Sequence, residues 1–252
     1  KRWDIVEGKV TDEIALINKT ILQTLIDQTK LMGAQTFSMD KMDAYFLVGL
    51  THSNQGGLSQ DSIHLPSNFN LFMTDNSYLR VQPNHYPWST LLSTYNVDNV
   101  VIKGGNLVGD RYTHDYSDYL DWHGISRASH EWPGLLVTAG CSNILIEGIN
   151  LKHSTGDGFI AGAAGHRTKP ETKWNRNITV QNCIIDGNRR NNISITDGED
   201  IKIINNTITN AGSGITNRDE NGAVIYDSNG VEPKYGIDVE PYITYSSFNI
   251  ES

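Results

Sequence analysis

Apolar and polar positions along this 252-residue chain follow two different periods, and the change between them divides it. From Asp12 to Leu31 the apolar side chains Ile14, Ile17, Ile21 and Leu25, with Leu22 and Ile26 less regularly placed, recur every three or four residues and predict one amphipathic helix. Thr11 or Asp12 can cap its start and Gly33 its end. Too short and uneven for a coiled coil, this helix is expected to plug one end of an exposed apolar core. From Thr36 to Tyr95 the pattern shifts to short alternating runs, such as Ser62-Ile-His-Leu-Pro and Leu71-Phe-Met, separated by Asn, Gly, Pro and Ser. Those runs predict strands and turns.

A repeat follows. Asn99-Val-Val-Ile-Lys-Gly-Gly-Asn-Leu, Asn143-Ile-Leu-Ile-Glu-Gly-Ile-Asn-Leu, Asn177-Ile-Thr-Val-Gln-Asn-Cys-Ile-Ile and Asp200-Ile-Lys-Ile-Ile-Asn-Asn-Thr-Ile share a template. Each has a polar starter, a short alternating strand, a small or Asn corner, and a second short strand. Successive starters stand 44, 34 and 23 residues apart. A basic period near 23 with loop insertions suits a parallel β-solenoid, in which each coil buries its inward face only against its neighbours. Asn at a corner, as at Asn182 and Asn205, tolerates the left-handed backbone of the bend, and stacked Asn side chains can bond along the axis.

At these residues the chain resembles the pectate-lyase-like right-handed parallel β-helix superfamily, over roughly Thr11 to Glu251. The resemblance rests on the cap helix, the Leu65-Pro-Ser-Asn stretch, the run from Asn99 to Asp110 and the later Asn-Ile coils. It implies an all-β right-handed parallel β-helix with an N-terminal amphipathic capping helix. One domain is expected, with the cap in residues 1–35, the first coils in 36–98 and the repeat coils in 99–252, the natural chain continuing past Ser252. The superfamily holds polysaccharide lyases, hydrolases, epimerases and phage spikes, so the fold alone does not choose a chemistry.

Candidate chemistry comes from the residues before each strand that opens with Gly134, Gly158, Asn192 or Gly236. If these starts align, His130-Glu131-Trp132, Thr155-Gly156-Asp157, Asn188-Arg189-Arg190 and Pro233-Lys234-Tyr235 form one column. Asp238 and Glu240 are two apart on a strand and would face outward together, about 6.5–7 Å apart, overlapping the spacing of an inverting glycosidase pair. Ordinary surface acids or a Ca²⁺ site are the plainer alternatives. Asp157 lies between glycines that let backbone approach a ligand, or it caps a turn amide. Glu131 and His130 complete the expected catalytic set, His130 as acid or base near neutral pH.

Arg189 and Arg190 suit an anionic sugar group, or an ion pair with Asp157 or Asp186. The excursion from Gly109 to Pro133 is rich in Tyr112, Tyr116, Tyr119, Trp122 and Trp132 and is expected to wall a sugar cleft or simply pack as a loop, with Asp110, Arg111 and His114 at its edge. Asp115, Asp118 and Asp121 match no EF-hand spacing.

Bulk properties narrow the classes. A net charge of −9 without a basic stripe argues against nucleic acid, and no run of about 18 apolar residues predicts a membrane span. Cys141 and Cys183 lack metal-ligand spacing and are expected to be buried free thiols. There is no GxGxxG after a strand, P-loop, GxSxG or HExxH. The sequons at Asn177, Asn192 and Asn205 fall where Asn-rich corners would place them by chance.

The resulting expectation is an extracellular or periplasmic enzyme cleaving an acidic (uronate or sulfated) polysaccharide in a groove on the β-helix side, needing no cofactor unless Ca²⁺ takes part. Hydrolysis is preferred, although the Asn-Thr-Asp and Asp-Asp motifs of polygalacturonase-like hydrolases are missing. A lyase or C5-epimerase would use His130 or a Tyr as base, with Arg189, Arg190 or Ca²⁺ neutralising a uronate. A non-catalytic glycan-binding or phage-type receptor spike is the reading from another class. Oligomeric state is not legible.

Overall fold

The computed structural model describes residues 3–49, 61–121, 123–127, 129–165, 170–213, 216–218, 224–227 and 230–240. The helix forms over Asp12–Leu31 (α1), with the Thr11 hydroxyl accepting from the Ile14 amide and Gly33 in the left-handed region at φ 79° just past its end. Its buried face differs from the expected stripe. Ala15, Asn18, Leu22 and Ile26 are buried, whereas Ile17 is 48% exposed. Asn18 sets this rotation: its side chain bonds the amide and carbonyl of Val6 and the carbonyl of Tyr45, satisfying backbone at the open end of the coil stack. Leu22 and Ile26 then reach the core beside Phe37 and Phe46.

The rest winds as a parallel β-helix of six coils through three six-stranded sheets. The first sheet stacks Thr36–Met39, Phe69–Met73, Asp98–Lys103, Ser142–Glu147, Arg176–Gln181 and Glu199–Ile204. The second stacks Met42–Phe46, Ser77–Val81, Asn106–Val108, Asn150–Lys152, Ile184–Asp186 and Thr207–Thr209. The third stacks Ile63–His64, Thr90–Tyr95, Gly134–Ala139, Asp157–Gly162, Ile193–Ile195 and Ile237–Val239.

All neighbours within the three sheets are parallel, and register follows the inward apolar residues. Phe69, Val100, Ile144, Ile178 and Ile201 form one stack; Leu79, Leu107, Leu151 and Ile185 a second; Leu92, Leu136, Phe159 and Ile193 a third. All of these are buried, each contributing about 1.5–3 kcal/mol of transfer free energy. Cys141 and Cys183 are buried free thiols within this core, and burial pushes the Cys183 thiol up to about 11.

Asparagine makes the bends. Asn68, Asn99, Asn143 and Asn177 open first-sheet turns of successive coils at φ 54–59°, and each side-chain amide donates to the preceding one at 2.8–2.9 Å. Asp200 takes the same conformation one coil further on. Between the first and second sheets Asn182 and Asn205 do likewise, linked at 2.7 Å. Asn68 extends the repeat one coil earlier than the sequence template, because Ser67-Asn-Phe-Asn keeps the starter but not the glycine-rich corner.

The asparagine ladder is testable. Asn143→Ala removes two side-chain bonds and places a Cβ-bearing residue without a polar side chain at φ 58°, so an unfolding free energy lower by about 2–3 kcal/mol is expected in urea titration. Asn143→Gly should recover about half of that loss, since glycine tolerates the backbone but cannot bond; equal losses for both variants would show that the left-handed bend is not the cost.

Candidate functional site

The site expected from the sequence lies where the third sheet begins. Gly134 pairs with Asp157, and Leu136, Phe159, Ile193 and Ile237 align. The expected match of Gly158 with Asn192 and Gly236 follows, but that of Gly134 with Gly158 is corrected by one residue. Leu135 and Leu136 offered two candidates for the inward position, and Leu136 takes it. Residues 131–133 therefore lie beside 154–156.

Asp157 is buried. Its Oδ1 accepts from the Asn191 amide at 2.9 Å, and its Oδ2 from the Ser194 hydroxyl at 2.7 Å and Arg190 Nη1 at 3.0 Å. Burial pushes its carboxyl up to about 6, against the opposing pull of Arg190, Ser194 and Asn191. The flanking glycines do not open it to a ligand. A Cβ on Gly156 would meet the Pro133 carbonyl oxygen at 2.2 Å, and one on Gly158 the Asn188 side chain at 2.5 Å, so the neighbouring coils fill that space.

Asn191, unmarked by any sequence motif, connects this buried group to the surface. Its side-chain amide donates to Ser194 at 3.0 Å and to Asp238 Oδ2 at 2.9 Å, while its carbonyl accepts from the Tyr235 amide. Asp238 sits beside Ser194 in register and is half-buried; Glu240 follows the last residue of the strand and is exposed, its amide donating to the Ile195 carbonyl. Glu131 is half-buried on the coil next to that of Asp157, three coils from Asp238. Trp132 is 39% exposed and stacks on Trp88, with centroids 4.9 Å apart and planes 4° from parallel. Trp88 escaped the sequence reading because it precedes the strand of an earlier coil. Trp122 lies outside the described residues, as does the segment from Ser246 to Ser252.

A second set of expected site residues turns inward. Asp110, Arg111, His114, His130 and Arg189 are all buried. His114 Nδ1 lies 2.8 Å from Asp110 Oδ2, its Nε2 lies 2.9 Å from His130 Nδ1, and His130 Nε2 lies 2.8 Å from the Ser117 carbonyl. Three contacts in series need three hydrogens, whereas two neutral imidazoles supply two. The third hydrogen is shared between the Asp110 carboxyl and the His114 ring, and Thr155 and Asn84 donate to the same carboxyl. Burial and the neighbouring cations hold His130 below its ordinary range.

Arg189 Nη1 donates to the Ser129 carbonyl at 2.7 Å and the His130 carbonyl at 3.2 Å, and its guanidinium covers Tyr116 at 4.3 Å. Arg111 donates to the carbonyls of Gly187 and Ser213. The adjacent arginines thus diverge, Arg190 to Asp157 and Arg189 to the excursion. These groups fasten residues 109–133 to the coils. Tyr116 and Tyr119 pack edge-on against His130 and Tyr112 against His153, which assigns them to loop packing rather than to a sugar-facing wall.

Asp115, Asp118 and Asp121 each bond nearby groups in the excursion: Asp115 the Ser117 amide, Asp118 the Ser126 hydroxyl, and Asp121 the His123 and Ile125 amides and Arg127. Among the described residues no three His, Cys, Asp or Glu side chains converge as a metal site, and no helix is long and apolar enough to cross a membrane.

No protein-family model matches the chain. It is 31% identical over 180 residues to the uncharacterized protein YclG of Bacillus subtilis (strain 168), covering 71% of this chain and 28% of that protein. It is 30% identical over 182 residues to the SPbeta prophage-derived uncharacterized protein YorA of the same strain, again over 71% of this chain and 28% of that one. The matched region thus spans under a third of the length of either relative. Among solved structures, one from Parabacteroides merdae ATCC 43184, described as a candidate glycosyl hydrolase, superimposes with a TM-score of 0.51 at 16% identity, covering 82% of this chain and 94% of the other. With three parallel sheets, a capping helix and asparagine-ladder bends, the chain has the pectate-lyase-like parallel β-helix fold.

Proposed function

We propose that the chain binds a polysaccharide along the outer face of the third sheet, and that Asp238 and Glu240 hydrolyse it. The observation that carries this reading is the bridge from buried Asp157 through Asn191 to Asp238, which holds one carboxylate in place at the surface. Glu240, exposed two residues further on, is free to meet a glycosidic oxygen as acid while the fixed Asp238 orients water. The Trp132–Trp88 stack supplies an aromatic surface for a sugar ring on the same sheet. Asp157 and Arg190 are positioning residues in this scheme, since both are largely enclosed. The fold shared with the Parabacteroides merdae structure is compatible with such chemistry.

Elimination or epimerisation is supported less by the geometry. His130 and Arg189, the base and neutraliser those reactions would draw on, are buried and bonded to backbone. A second reading, glycan binding without cleavage, is favoured by the same inward turn of the ionisable groups, by the exposed Trp132 stacked on Trp88 and by the prophage origin of YorA.

Three outcomes are expected. On a panel of uronate, sulfated and neutral polysaccharides, the protein should release reducing ends without absorbance near 235 nm, and Asp238→Asn and Glu240→Gln should each lower kcat about a hundredfold or more with KM little changed. Glycan binding that survives in these variants while the parent shortens no polymer would establish the second reading. Finally, because the Asp157 carboxyl is raised to about 6 in the fold, the stability it contributes is present below about pH 4 and is lost as pH rises through 6. Thermal melts should show Asp157→Asn gaining on the parent by about 3 kcal/mol between pH 4 and pH 7.

A further inference from the structure

A second groove lies at the opposite end of the third-sheet strands, where the chain turns into the first sheet. It has a volume of about 530 Å³, within the usual size of a small-molecule site. Along its floor Asp98, Ser142, Arg176 and Glu199 stand in register on four successive coils. At the inter-coil spacing of about 4.8 Å this column runs about 14 Å parallel to the helix axis, the length of a short oligosaccharide. Trp174 lines the groove and is 41% exposed. Asn175 next to it is buried and bonds the Cys141 amide and the carbonyls of Thr138 and Gly162, which fixes the backbone that carries the ring.

Among the described residues the charges lining this groove cancel, and each has a partner. Arg176 pairs with Glu199 at 2.8 Å, Lys173 donates to Asn96 at 2.6 Å, and Asp98 accepts from Ser142 at 2.6 Å. Among the described residues the groove therefore offers no excess of positive charge to an anionic polymer. Hydroxyl groups, which donate and accept, can add to each pair without breaking it. An exposed indole flanked by such pairs suits the apolar face of a pyranose.

We propose that this groove is a binding site for a neutral oligosaccharide, with Trp174 as its stacking platform and the Asp98–Ser142–Arg176–Glu199 column as its hydrogen-bonding floor. The groove lies apart from Asp157 and the Trp132–Trp88 stack: the strand Gly134–Ala139 begins beside them and ends at the groove, about 20 Å away. The groove therefore serves as an anchoring subsite, and this holds whether or not Asp238 and Glu240 cleave anything.

The test uses the whole chain and neutral gluco-, manno- and galacto-hexasaccharides, with oligogalacturonate as the charged comparison. Affinity is measured by isothermal titration calorimetry for the parent and every variant, and the place of binding is read in the parent from the indole N–H signals in two-dimensional NMR, the Trp174 signal being assigned by its loss in Trp174→Ala. At least one neutral hexasaccharide is expected to shift the Trp174 signal saturably. Trp174→Ala should weaken that binding at least tenfold, Trp174→Phe should restore most of it, and Trp132→Ala should leave the titration of the Trp174 signal unchanged. A thermal melt of Trp174→Ala matching the parent shows that the fold is retained; Ser142→Ala, a smaller change on the floor, should weaken binding by severalfold and provides the test if the tryptophan variant melts early. The proposal is overturned if no neutral hexasaccharide moves the Trp174 signal, if the two variants bind as the parent does, or if oligogalacturonate binds there more tightly than the neutral chains.

Discussion

Coil-to-coil registration of the inward apolar side chains governs everything else in this molecule. A single coil of about 23 residues cannot enclose a core, so Val100 is buried only because Phe69 and Ile144 lie on either side of it, and Ile144 only because Val100 and Ile178 do. The left-handed asparagines let the chain turn sharply enough to bring each coil back over the last, and their ladder lines up the bends that the core stacks line up from within. Neither device works alone. A bend without an apolar stack would leave the register free, and a stack without the bend would not close the coil.

This constraint also explains why so many ionisable residues at the third-sheet side are buried. An excursion of 25 residues, from Gly109 to Pro133, interrupts one coil and must be held against the others without an apolar core of its own. It is held by Arg189 on two of its carbonyls and by Thr155 and Asn84 on its Asp110 carboxyl, while the series Asp110–His114–His130 ending on the Ser117 carbonyl ties it to itself. Buried polar groups of this kind are costly unless every partner is present, and here the partners are backbone carbonyls, a carboxylate and neighbouring imidazoles. What looks in the sequence like catalytic equipment is largely the fastening of a loop. The surface chemistry that remains is smaller: Asp238, Glu240, Glu131 and the Trp132–Trp88 pair.

Two glycan-facing features then occupy the third-sheet side. On the outer face of the sheet a carboxylate is fixed by a buried network, with the stacked indoles three and four coils away. Where the strands end, a groove whose described charges cancel and which carries one exposed indole follows the coil axis. The regular spacing of coils suits both to a polymer, because successive rungs offer equivalent groups at a fixed repeat.

The sequence by itself determined the architecture: the helix, the parallel coils, the asparagine bends and the buried thiols all follow from periodicity and residue type, because each depends on local backbone preference or on which residues avoid water. It named Asp157, Arg190 and Asp238 as neighbours, since the repeat places equivalent residues one above another. It could not choose between Leu135 and Leu136 as the inward residue, or see that Asn18 would turn α1 by one position. Nor could it show that His130, His114 and Arg189 point inward, or find Asn191, Trp88 and Trp174. Those were decided by the tertiary structure, because side-chain direction outside the regular repeat depends on which distant carbonyls and carboxylates need partners, and that demand exists only once the coils have stacked.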